Sequence, residues 1–119
     1  MAKATQKRTV RLHNAEAFEL WLEGLGDEKT SQIVRRRLFR LAGGNLGDCR
    51  SLGDGVHELR IDYGKGLRVY FANEGDEIVI ILHGGTKKRQ QADIDKAKEI
   101  WQEIKNDDEN RQNDDAGRI

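Results

Sequence analysis

Apolar residues recur along this chain at two spacings, and the changes of spacing divide it into elements. Arg8-Thr9-Val10-Arg11-Leu12 alternates and reads as a short strand. Phe18, Trp21, Leu22 and Leu25 then fall at i, i+3, i+4 and i+7, one stripe of a helix capped by Asn14 and ending near Gly24. Val34, Leu38 and Leu41, widened by Ile33 and Ala42, predict a second helix, capped by Asp27 and stopped at Gly43-Gly44. The short link between them makes an α-hairpin.

Alternation returns after a glycine-punctuated loop over Gly47–Gly55. Leu59, Ile61 and Tyr63 share one parity against Glu58, Arg60 and Asp62, and Leu67, Val69 and Phe71 alternate with Arg68 and Tyr70. Gly64-Lys65-Gly66 fits a three-residue hairpin loop, which would pair Tyr63 with Leu67, Asp62 with Arg68 and Arg60 with Tyr70. One face of the hairpin is then apolar and the other shows Arg60, Arg68 and Tyr70. Ile78-Val79-Ile80-Ile81-Leu82 lacks alternation, as a central strand covered on both faces would, and Gly84-Gly85 is expected to break it.

A last helix is expected from about Ala92 to Lys105, with Ile94, Ala97, Trp101 and Ile104 on its buried side. Met1–Gln6 reads as a frayed end and 107–119 as a polar, disordered tail, leaving one domain over 1–106. The order is β-α-α-β-β-β-α: an α+β fold with two N-terminal helices packed on a mostly antiparallel four-stranded sheet, and a C-terminal helix.

Composition changes this picture in two respects. The 21 basic and 21 acidic residues cancel, but 103–119 holds three of the former and six of the latter, so the remainder carries +3. That bias is weak for a nucleic-acid binder, although phosphate contacts depend on where the charges sit. The single cysteine, Cys49, excludes an internal disulfide and reads as a structural thiol; with no signal-peptide or membrane-spanning run, a cytoplasmic location is expected. Three dispersed histidines offer no metal-ligand spacing, so neither metal nor cofactor is expected.

The hairpin's charged face admits two readings: a solvated surface with Glu58 and Asp62 neutralising the arginines, or a surface prepared for a polyanion. Arg35, Arg36, Arg37 and Arg40 likewise read as a solvated helix face, with ribosomal RNA contact as the sharper alternative. Leu52-Gly53-Asp54-Gly55-Val56, Glu58-Leu59-Arg60, Gly66 with Arg68-Val69-Tyr70-Phe71, and Gly84-Gly85-Thr86-Lys87 together resemble the RelE/HigB-like "addiction module killer" toxins of type II toxin–antitoxin systems. The resemblance runs from about Val10 to Trp101.

That resemblance implies a ribosome-dependent messenger RNA endoribonuclease that inhibits translation. The RNA 2′-hydroxyl would attack the adjacent phosphorus without a metal, and cations would stabilise the developing charge. Arg68 matches the family's catalytic arginine; Arg60 and Lys87 are carried over beside it, with Lys65, Tyr70, Lys88, Arg89 and Arg50 as RNA contacts. No tyrosine follows Gly85, where some family members use one for proton transfer, and His83 is the candidate acid or base in its place. The implied partners are the ribosome, messenger RNA and a cognate antitoxin, a small helix-turn-helix protein, with no membrane. Two alternatives stand: a non-enzymatic ParE-like gyrase inhibitor sharing the fold, and a degenerate module that binds RNA or antitoxin without cleaving.

Overall fold

Asn14 and Asp27 start the two helices of the hairpin. In the computed structural model, which describes residues 7–117, the Asn14 side chain accepts from the Ala17 amide at 3.0 Å, and Asp27 accepts from the Thr30 amide at 2.8 Å. Each such cap contributes about 1 kcal/mol. They open α1 (Ala15–Gly24) and α2 (Glu28–Ala42), which follow the short strand β1 (Thr9–Leu12). The sheet continues with β2 (Cys49–Gly53), β3 (Val56–Ile61), β4 (Leu67–Glu74) and β5 (Ile78–Thr86). A 3-10 turn, Lys87–Arg89, then leads into α3 (Gln90–Gly117). The expected fraying of Met1–Gln6 lies outside the described residues.

The fold is α+β, with three α-helices and a five-stranded mixed sheet in the order β1-β5-β4-β3-β2. β1 runs parallel to β5, with Thr9 opposite Ile78, and the other three pairings are antiparallel. The fifth strand is β2, expected as loop. It is short, polar and without alternation, and it acquires its conformation from β3, pairing Cys49 with Leu59 and Arg50 with Glu58. β4 is central and buried from Leu67 to Ala72, with β5 beside it.

Three further expectations change. The β3–β4 register is offset by two residues, pairing Ile61 with Leu67, Arg60 with Arg68 and Glu58 with Tyr70. The loop is therefore Asp62–Gly66, in which Gly64 and Gly66 take positive φ of 59° and 80°. An offset of two preserves parity, so every side chain keeps its face. Gly84-Gly85 continues β5 rather than breaking it, paired with Val69 and Arg68. Finally, α3 runs on through Gly117 where a disordered tail was expected from 107. No proline or glycine interrupts that stretch, and its polar residues show no stripe because Asn106, Asp107, Asp108 and Glu109 are all exposed.

Both faces of the sheet are covered. Phe18, Leu22, Val34 and Leu41 of the helical hairpin pack with Leu59, Ile61, Val69, Phe71, Val79 and Ile81 on one side. On the other, Ala97 and Ile100 of α3 pack with Val56, Tyr70, Ala72, Ile80 and Leu82. The β4–β5 ladder shifts between Tyr70 and Phe71, where Leu82 is the extra residue. This bulge turns Leu82 and His83 toward α3 in succession.

Candidate functional site

The α3 side of the sheet changes character along its length. Its apolar half lies under the middle of α3, and its polar half under the helix start. There Arg50, Glu58, Tyr70 and His83 occupy one cross-strand row from β2 to β5, and Arg60, Arg68 and Gly85 occupy the next. Glu58 organises both rows. Its fully buried carboxylate accepts from Arg60 Nε at 2.9 Å and Arg50 Nε at 3.0 Å on one oxygen, and from Gln90 Nε2 at 2.9 Å on the other. Burial pushes the Glu58 carboxyl up, but hydrogen bonds from Arg60 and Gln90 and the charge of Arg50 outweigh it, holding the group below its ordinary range.

Arg68 is buried in the same cluster. Its Nε stands 3.9 Å from the Glu58 carboxylate without a hydrogen bond, and its Nη1 donates to the Leu67 carbonyl at 3.2 Å. Beyond it opens a groove of about 380 Å³ lined by Arg60, Lys65, Arg68 and Lys87, with Asp48 and Asp62 as the acidic groups. The Lys87 amide donates to the Gly66 carbonyl at 3.0 Å, which ties the end of β5 to the hairpin loop and sets Lys87 beside Arg68. Residues separated by up to 27 positions thus bring four cations to one concavity. Guanidinium and ammonium groups around a groove suit a phosphate, to which arginine can offer two parallel donors.

Several candidates lie elsewhere. Tyr70 is fully buried beneath α3 and is not available to stack on a base; alternation showed its face but not that a helix covers that face. Its hydroxyl has no hydrogen-bond partner among the described residues, and burial together with the charges of Glu58 and Asp93 raises the phenol far above its ordinary range. Arg50 is committed to Glu58 on the edge strand, half exposed and outside the groove lining. Lys88 and Arg89 are exposed on the 3-10 turn, also outside the groove lining. His83 is held by Asp93, Nε2 to Oδ1 at 2.9 Å, stacks on the Tyr70 ring, and is not part of the groove lining.

Gln90, Asp93 and Asp48 were missed as site residues. Asp93 had a signal in the diglycine, because glycine inside a strand marks close approach by a neighbour. A Cβ at Gly85 would collide with the Asp93 carboxylate, and one at Gly84 would lie 2.5 Å from ring carbons of Trp21. Cys49 donates to the Leu46 carbonyl at 2.8 Å, and burial pushes its thiol up, as befits a structural role. Among the described residues no three His, Cys, Asp or Glu side chains gather into a cation-holding group. No helix among them is long and apolar enough to cross a membrane.

Comparison with known proteins corrects the family expectation. The matching family model is "Phage derived protein Gp49-like (DUF891)", over residues 21–105, rather than the RelE/HigB-like toxins. The segments that carried the resemblance are the β2–β3 turn, stretches of β3 and β4, and the end of β5, which report strand and turn positions rather than a family. The chain is also 41% identical over 96 residues to an uncharacterized protein of Haemophilus influenzae, covering 81% of this chain and 97% of that one. No solved structure matches. With most of its length inside the family model, the chain belongs to the Gp49-like family of phage derived proteins.

Proposed function

We propose that this protein is a metal-independent endoribonuclease that cuts messenger RNA on the ribosome and serves as the toxin of a toxin–antitoxin pair. The observation that carries the reading is the convergence of Arg60, Lys65, Arg68 and Lys87 on one groove. In the proposed reaction the 2′-hydroxyl of the bound strand attacks the adjacent phosphorus. Its proton leaves to a base, the bond to the 5′-oxygen breaks, and that oxygen takes a proton. The products are a 2′,3′-cyclic phosphate and a 5′-hydroxyl.

Arg68 and Lys87 would neutralise the charge that builds on the non-bridging oxygens, while Arg60, fixed by Glu58, would orient the strand. No histidine lines the groove, which contains only lysine, arginine and aspartate as ionisable groups. Catalysis by the protein alone should therefore be slow, since efficient acid–base work favours a group titrating near the working pH. Presentation of the strand by the ribosome supplies the orientation the isolated protein lacks. The antitoxin would contact exposed helix faces, sheet edges or loops, where Phe39 and Leu20 are large and uncovered.

The test is cleavage of messenger RNA by the purified protein with and without translating ribosomes, followed by mapping of the new ends. Cyclic phosphate and 5′-hydroxyl ends that require ribosomes and survive EDTA support the reading. Rapid cleavage of free RNA would overturn the ribosome requirement. RNA binding without new ends would favour a binding module, and gyrase-dependent DNA breaks would favour the gyrase alternative.

A further inference from the structure

The arginine run of α2 is divided by its surroundings. Arg35 is tied to α1, donating from Nη2 and Nη1 to the two carboxylate oxygens of Glu19 at 2.6 and 3.2 Å. Arg36, Arg37 and Arg40 have no ion-pair partner among the described residues. All three line a second pocket, of about 490 Å³, between α2 and the chain entering β2. This pocket shares Asp48, Arg60 and Asp62 with the cationic groove, so the two concavities meet at Arg60.

Arg37 is the unusual member. It is only 9% exposed, and it packs so closely on Gly47 that a Cβ there would collide with its guanidinium. Its Nη2 donates to the Leu46 carbonyl at 3.2 Å, whereas its buried Nη1 has no partner. A buried cation with an unmade donor and no ion-pair partner opposes folding, even with Asp48 and Asp62 elsewhere in the same lining. A bound anion would relieve that cost.

We infer that this pocket is a second phosphate subsite, holding a phosphodiester of the same RNA strand next to the one held in the groove. The inference rests on the RNA reading above and extends it. Arg36, Arg37 and Arg40 supply the charge, while Ile33, Ile61 and Tyr63 in the same lining offer an apolar wall for the attached nucleoside. Arg60, common to both concavities, joins the two subsites into one track.

The experiment measures how binding of uncleavable 2′-O-methyl RNA depends on salt between about 50 and 200 mM, using a two-nucleotide probe, whose single phosphodiester can fill only one subsite, and a twelve-nucleotide probe. Each phosphate contact contributes about −0.7 to the slope of log affinity against log salt for a single strand. Arg36→Ala/Arg40→Ala, both exposed positions, should make the twelve-nucleotide slope shallower by about 0.7, the share of the one phosphodiester the pocket holds, while leaving the two-nucleotide slope unchanged. Lys29→Ala/Lys96→Ala, an equal loss of charge outside both linings, should leave both slopes unchanged. If the arginine variant keeps the parent slope on the long probe while Arg68→Ala weakens both probes, the second subsite is overturned and the RNA reading stands. If the parent binds neither probe at 50 mM salt, both are overturned.

Discussion

Arg60 Nε donates to the fully buried carboxylate of Glu58 at 2.9 Å, and this bond fixes a groove cation to the floor of the sheet. The carboxylate also takes Arg50 and Gln90, so one acidic side chain joins β2, β3 and the start of α3. The charged face of the hairpin is thus neither a plain solvated surface nor an open cationic one. It is a partly neutralised cluster whose outer cations border the groove.

Glu58→Gln removes the charge that three arginines share. Breaking a buried ion pair costs about 3–5 kcal/mol, but Arg50 and Arg60 are exposed enough to turn to water, so about 2–3 kcal/mol is expected here. Urea unfolding checks this; a loss within about 0.5 kcal/mol would show that Glu58 contributes little.

The same carboxylate predicts acid lability. Its folded-state pKa lies below the ordinary 4.5, so its contribution is present above pH 4.5 and is lost as pH falls through the folded value. Asp27 acts in the same sense, held low by hydrogen bonds from the Thr30 amide and hydroxyl. The thermal midpoint of the parent should fall below pH 4.5, and less steeply in Glu58→Gln. Parallel pH profiles for the two proteins would contradict the assignment.

Tyr70→Phe deletes a buried hydroxyl that has no hydrogen-bond partner. Stability should stay the same or rise by up to about 1 kcal/mol, with cleavage unchanged. A fold intact by circular dichroism together with lost cleavage would show that the buried phenol takes part in the reaction.

Gly84→Ala places a Cβ 2.5 Å from the Trp21 ring carbons. Overpacking of this kind costs about 1–3 kcal/mol, and denaturant titration should show it. An unchanged midpoint would mean that Trp21 moves aside freely.

The two hairpin helices and their caps were legible because Asn14, Asp27 and the apolar stripes are local signals. The strand faces were legible for the same reason. The β3–β4 register was not, since the parity that assigns Arg60 and Arg68 to one face is equally satisfied by pairings two residues apart. Nor could alternation reveal that α3 covers Tyr70, which is decided by contacts more than 20 residues distant. Arg60, Arg68, Lys87 and Lys65 do meet in one groove, but Glu58, Gln90 and Asp93 bond around it through folding alone.

The most direct test of the central claim is the rate of messenger RNA cleavage on ribosomes by folded Arg68→Ala. Removing one donor to transition-state charge costs about 2.7–4 kcal/mol, a fall of about a hundred- to a thousandfold. The account predicts a fall of that size with the groove otherwise intact. Cleavage at the parent rate by the folded variant would contradict it.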